Sequence, residues 1–145
     1  MTLATLLQSL EGRVKILDHR GNLDVSINAI TDDSRAVSPN SLFVAVKGEQ
    51  VDGHDFIPAA MRGGMVALLS QQPVSEVSLP FVRVDDSRRA LGLLGGHFYG
   101  DPSSKIRMIG VTGTNGKTTT TSICKALLEA LGDPIGLIGT VAYQI

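Results

Sequence analysis

Residues 111–121 read VTGTNGKTTTT, two glycines and a lysine ahead of four consecutive threonines. This stretch constrains the chain more than any other. Before it, Ile106, Met108, Ile109 and Val111 form an apolar run that reads as a buried strand. After it, TTTTSICKALLEALG reads as a helix with Ile123, Leu127 and Leu131 inward and Gly132 as its stop. Strand, glycine turn and helix in that order make a phosphate-binding device, because the first amides of a helix are unpaired and sit at the positive end of its dipole. Gly113 and Gly116 let the backbone approach phosphate oxygens. Lys117 can reach the β- and γ-phosphates, and the Thr118 hydroxyl can ligate Mg2+. The strict pattern G-x-x-x-x-G-K-S/T would place its first glycine at Val111, so this loop is a variant. A plain glycine turn with a solvated Lys117 is the competing reading; the preceding strand, the following helix and G-K-T in register favour phosphate. The nucleotide set is Gly113, Thr114, Asn115, Gly116, Lys117, Thr118 and Thr119, with a nucleotide polyphosphate and Mg2+ as ligands. Thr120 and Thr121 are expected to bond back to the preceding turn. Cys124, with no His or second Cys nearby, is expected to be a small buried apolar residue.

The rest of the chain is α/β. Leu3, Leu6, Leu7 and Leu10 share a helical face, with Thr2 as N-cap and Gly12 just past the end. Alternation over 25–31 and the apolar run 41–48 predict strands, as do 65–70 and 80–86. HDFIPAAMRGG predicts a short helix with Pro58 in its first turn. A helix is predicted from Asp85 or Asp86, with Leu91, Leu94 and Phe98 on one face. IGLIGTVAYQI predicts a last strand. A boundary near Val84 divides 1–84, a small mixed α/β unit, from 85–145, the start of a P-loop domain with a parallel sheet. The tetrapeptide DDSR occurs at 32–35 and again at 85–88; the second copy opens a helix, where Asp and Ser are ordinary caps.

GVTGTNGKTTTT resembles the nucleotide loop of the Mur ligases, whose version of the motif lacks the leading glycine. TDDSRAVSPNSLFVAVKGEQVDGHDFIPAA resembles the UDP-binding domain of the members that add the third residue of the peptidoglycan stem or the terminal dipeptide. HFYGDPSSKIRMIGVTGTNGKTTTT is most similar to the former. The resemblance covers nearly the whole chain. It implies an ATP-dependent amide-bond former of peptidoglycan synthesis that joins a diamino acid, meso-diaminopimelate or L-lysine, to UDP-MurNAc-L-Ala-D-Glu through an acyl phosphate. Carried over by position, Ser34 would hydrogen-bond the UDP part of the substrate, and Asp32 is another contact position. Glu49, Gln50 and Val51 align with a further contact stretch, Glu49 and Val51 through backbone and Gln50 through its side chain. Lys117 would be the catalytic cation.

The chain has 145 residues and a formal net charge of -1, which argues against nucleic-acid binding by bulk charge. A single cysteine rules out an intrachain disulfide. No apolar run reaches the ~20 residues of a membrane span, and the N-terminus lacks the pattern of a secretory signal. A cytoplasmic monomer is the expectation. Three-domain Mur ligases are several times longer, so the chain is expected to be a fragment or a truncated product, inactive alone. Two rival readings stand beside this one: the ligase that adds D-Ala-D-Ala to the UDP-tripeptide, and a non-catalytic UDP-sugar- or nucleotide-binding module.

Overall fold

Strand β3, Ser41–Ala45, is buried at every residue and organises the first of two units. The computed structural model describes residues 1–75, 77–139 and 143–144. They fall into Met1–Lys105 and Ile106–Ile145.

In the first unit, β3 lies between β2 (Ala29–Thr31) and β4 (Met65–Ser70), parallel to both, and β5 (Phe81–Val84) continues the parallel run. β1 (Ile16–Arg20) pairs antiparallel with β5, giving the order β1-β5-β4-β3-β2. Successive residues of β3 serve opposite faces, as a pleated strand requires. Leu42 and Val44 join one core with Leu3, Leu6, Leu7, Leu10, Ala90 and Leu94. Phe43 and Ala45 join another with Ile57, Ala60, Met65 and Phe81. A parallel sheet needs both faces covered, and here both are.

The covering helices start where their caps allow. α1 (Leu3–Gln8) begins after Thr2, whose hydroxyl accepts from the Thr5 amide at 3.2 Å. Its leucines are buried as expected, each contributing about 2 kcal/mol. Beyond it, Gly12 turns the chain at φ 68°. α2 (Ile57–Arg62) follows a 3-10 turn, Gly53–Phe56, with Pro58 in its first turn. α3 (Ser87–Phe98) starts after Asp86, which accepts from the Arg89 amide at 2.9 Å.

Several expectations need correction. The strand over 25–31 pairs only at 29–31. Upstream, the N-terminal segment takes its backbone: the Leu3 amide donates to the Val25 carbonyl at 3.0 Å and the Ile27 amide to the Met1 carbonyl at 2.8 Å. The run 41–48 leaves the sheet after Ala45. β1 was not foreseen, because its last four residues are exposed and carry no alternation. The boundary expected near Val84 cuts across packed structure: Ala90 and Leu94 of α3 are fully buried in the first core, so the compact division falls after Lys105.

The second unit holds α4 (Lys117–Ala130) and a two-stranded antiparallel pair, β6 (Leu137–Ile138) and β7 (Tyr143–Gln144). The last predicted strand is therefore a strand pair, with residues 140–142 and 145 outside the described residues. Residues 106–111 form no strand. An extended apolar run becomes a parallel strand only beside hydrogen-bonding neighbours, and none pairs with it among the described residues. Ile106, Met108 and Ile109 are exposed, as are Ile123, Leu127 and Leu131, so the helix face expected to point inward is uncovered. Cys124 is half-buried rather than buried. Gly132 ends the helix as expected, at φ 91°.

Candidate functional site

Each unit carries one candidate site. In the second, the chain turns through Gly113 at φ 151° and Gly116 at φ 77°, values that favour glycine. Gly116 is the N-cap of α4 and offers no side-chain bond to the helix amides, and no acidic residue lies in the first turn. α1 and α3 are both capped by side chains; α4 is left open. Among the described residues, the amides of 113–119 donate to no protein acceptor. Four orphan N–H groups at a helix start normally find a partner, and among the described residues these have none in the protein.

Lys117 bends back across the loop. Its ammonium donates to the Gly113 carbonyl and to the Thr114 carbonyl at 3.4 Å. The positive head is thereby held over the loop instead of trailing into solvent. Thr121 bonds back to the carbonyls of Lys117 and Thr118, both at 3.0 Å, as expected. Thr120, expected to do the same, makes no side-chain hydrogen bond among the described residues, and neither do Thr118 and Thr119. The Thr118 hydroxyl is exposed in the first turn of α4 and available to a cation. Mg2+ keeps several waters and takes few protein oxygens beside phosphate, so one free hydroxyl at the loop's rim fits that ion. No group of three His, Cys, Asp or Glu able to hold a metal exists among the described residues.

In the first unit, a groove of about 430 Å³ is lined by Asp32, Asp33, Ser34, Arg35, Val51 and Phe56. It lies where β2 and β3 release the chain, at the carboxyl ends of parallel strands, the usual place for ligands in open α/β sheets. The turn after β2 is tightly tied. The Asp33 amide donates to the Thr31 hydroxyl at 3.0 Å, and the Ala36 amide to the Asp33 carbonyl at 3.0 Å. The Asp33 carboxylate accepts from the Arg35 amide at 2.9 Å and from two guanidinium nitrogens at 2.8 and 2.9 Å. The Arg35 side chain and amide hold Asp33 down at about 2, against an ordinary 3.8.

A depressed carboxyl pKa adds stability above its unfolded value and loses it as pH falls through the folded one. The contribution of the Asp33 carboxylate to the 31–36 turn is therefore expected to be complete above roughly pH 4 and lost toward about pH 2. A carboxyl-carbon titration by NMR should place Asp33 near that lower value, and Arg35→Gln should return it toward 3.8. An Asp33 midpoint unaffected by Arg35→Gln contradicts the assignment.

The loop after β3 closes the other side. The Gly53 amide donates to the Val46 carbonyl at 3.0 Å and the Gly48 amide to the Val51 carbonyl at 2.9 Å. A side chain on Gly53 would sit 2.6 Å from the Val46 carbonyl oxygen, so only glycine fits. Asp52 caps the 3-10 turn through the His54 amide at 3.0 Å and also bonds His54 Nδ1 at 2.5 Å. Both contacts, the amide foremost, hold Asp52 below the ordinary carboxyl value.

The structure thus brings Asp32, Ser34 and Val51 into one groove. Glu49 and Gln50 sit exposed on the same loop and do not line it. Sequence reasoning missed Asp33, Arg35 and Phe56. The i, i+2 Asp–Arg spacing was the signal for the first two; Phe56 was absorbed into a helix prediction. The second DDSR is built differently. Asp85 exchanges bonds with the Lys15 backbone, Asp86 caps α3, and Arg88 donates to the Lys47 carbonyl at 3.1 Å, bracing the β3 loop from behind.

Comparison with known proteins gives the chain its family. Residues 26–99 match the profile described as the Mur ligase family, catalytic domain, and residues 111–145 match the Mur ligase middle domain. A UDP-N-acetylmuramoyl-L-alanyl-D-glutamate--2,6-diaminopimelate ligase of Geobacillus thermodenitrificans is 50% identical over all of this chain and 29% of its own length. The corresponding protein of Halalkalibacterium halodurans is 46% identical over 99% of this chain and 28% of its own length. The chain thus spans less than a third of the curated relatives it matches. Among solved structures, MurF from Acinetobacter baumannii superposes with a TM-score of 0.65 at 28% identity, covering 90% of this chain and 28% of that one. MurF ligase from Thermotoga maritima in complex with ADP gives 0.51 at 33%, covering 74% and 24%. A UDP-N-acetylmuramoyl-L-alanyl-D-glutamate--2,6-diaminopimelate ligase structure gives 0.72 at 21% identity over 99% of this chain and 28% of that one, a likeness of fold.

Proposed function

The chain belongs to the Mur ligase family, and from that premise we propose that its two units serve an ATP-dependent ligase of peptidoglycan synthesis. The reaction joins a diamino acid, meso-diaminopimelate or L-lysine, to UDP-MurNAc-L-Ala-D-Glu. The observation that carries the reading is the open start of α4, its amides unused and Lys117 laid over the loop. The groove at the ends of β2 and β3 supports the UDP half, and relatives named for the diaminopimelate ligase support the choice of substrate.

In such a ligase a carboxylate must first gain a better leaving group than oxide. A carboxylate oxygen attacks the γ-phosphorus of ATP, ADP leaves, and the amine then displaces phosphate from the acyl phosphate. The transferring phosphoryl spreads negative charge over its oxygens, so catalysis is chiefly positioning and charge neutralisation. The amides of residues 113–119 hold the polyphosphate, and Lys117 neutralises its outer oxygens. Thr118 would hold Mg2+, which supplies further neutralisation when bound. Asp32 and Ser34 face the nucleotide of the second substrate, with the Val51 backbone opposite; Glu49 and Gln50 meet the ligand only beyond the groove. We assign no ligation to the 145 residues alone, and place the protein in the cytoplasm as a monomer. No helix among the described residues is long and apolar enough to cross a membrane.

The D-Ala-D-Ala-adding ligase is a second reading, favoured by the MurF superpositions. Calorimetric titration separates the two. The chain is expected to bind UDP-MurNAc-L-Ala-D-Glu at least as tightly as UDP-MurNAc-tripeptide, with UDP competing for either. A clear tripeptide preference would reverse the assignment, and amide formation by the purified chain would contradict its inactivity.

A further inference from the structure

Phe56, in the groove of the first unit, is given no task by the reading above. Phe56 is 41% exposed, although its neighbour Ile57 is buried and α2 turns Ile57 and Ala60 into the core. Nothing about the helix demands an aromatic ring on the outside. The ring is nevertheless firmly presented. Phe56 ends the 3-10 turn whose start is fixed by the Asp52 cap, the Asp52–His54 pair and the Gly53–Val46 bond. Val51, 57% exposed, adds a second apolar surface to the same groove.

The groove therefore has two kinds of wall. One is the polar turn of Asp32, Asp33, Ser34 and Arg35; the other is Val51 and Phe56. Arg35 is already engaged by the Asp33 carboxylate, and Asp32 repels phosphate, so charge attraction is a poor source of affinity here. A nucleoside diphosphate brings another, a flat base with two π-faces. Aromatic side chains stack on bases of every kind, and a groove of this volume is of the size that small ligands fill.

We propose that Phe56 is the stacking platform for the base of the nucleoside diphosphate, and so an affinity-determining residue of the groove. The inference rests on the ligase reading, since it takes the groove's ligand to be a UDP compound.

The test is binding of UDP to the full 145-residue chain and to Phe56→Leu, Phe56→Ala and Phe56→Tyr. Phe56→Leu keeps apolar bulk but removes the planar face. It is expected to weaken UDP about tenfold, the size of one lost base–aromatic stack, with the melting temperature unchanged. Phe56→Ala should weaken it at least as much, and Phe56→Tyr should restore it. In the wild type, uracil H5 and H6 of bound UDP should shift upfield in proton NMR from the ring current, and Phe56→Leu should abolish the shift. If Phe56→Leu binds UDP as the wild type does, or loses affinity only together with melting temperature, the stacking role is overturned. An absent upfield shift in bound UDP overturns it equally. A wild-type chain that binds no UDP compound at all brings down the ligase reading first and this inference with it.

Discussion

Replacing Lys117 by alanine is expected to lower the affinity of the chain for Mg2+·ATP by about a hundredfold, or about 3 kcal/mol, the scale of losing a charge-assisted contact to phosphate. The same substitution should leave α4 at least as stable as before. A cation in the first turn of a helix faces the positive end of the dipole, an unfavourable place worth roughly 0.3–1 kcal/mol. Lys117 occupies that place with no acidic residue in the turn to offset it. A lysine kept for stability would sit elsewhere, and one kept for an anion would sit here. Calorimetry with ATP, paired with circular dichroism of the helix, reads both effects. A Lys117→Ala chain that binds ATP normally, or that loses α4 along with binding, contradicts the assigned role.

The second large effect concerns the support beneath the groove. Phe43 is fully buried in the middle of β3, between β2 and β4, and packs with Ile57, Ala60 and Phe81 on the α2 side of the sheet. Phe43→Ala is expected to cost about 4 kcal/mol through lost burial and the cavity left behind. Domains are commonly stable by only about 5–15 kcal/mol, so this change removes a large share of the first unit's margin. β3 also carries the loop from Val46 to Gly53, and UDP affinity should fall with stability. Phe43→Leu, which keeps most of the volume, should cost much less. Chemical denaturation followed in the wild type and both variants checks the order. Equal midpoints for Phe43→Ala and wild type would show that β3 is not the keystone of this sheet.

What the sequence disclosed, and what it hid, follows from how local each signal is. The turn over Gly113 and Gly116 and the start of α4 at Lys117 depend on residues adjacent in the chain, so spacing was enough to find them. Helix α1 was legible for the same reason: a cap at Thr2 and leucines three and four apart. β1 was not, because an edge strand is defined by its partner; Ile16–Arg20 becomes a strand by pairing with β5, distant in sequence. Residues 106–111 mislead in the opposite direction. Their apolar run has the composition of a central strand, but composition supplies no neighbour, and among the described residues none pairs with them. At the candidate site, Asp32 and Ser34 came from resemblance and Val51 from the aligned stretch. Asp33 and Arg35 carry the actual geometry of the turn, and they stood inside the same quoted tetrapeptide. Phe56 was hidden because a helix prediction asks which face is apolar and never which apolar residue is left outside.

The central claim is that two different phosphorylated ligands have two separate homes in this chain. Backbone amide shifts recorded with Mg2+·ATP and then with UDP test it in one experiment. ATP is expected to move residues 113–119 and leave 31–36 still, while UDP moves 31–36, Val51 and Phe56 and leaves the glycine loop still. The two ligands moving the same residues, or ATP leaving 113–119 unchanged, would contradict the account.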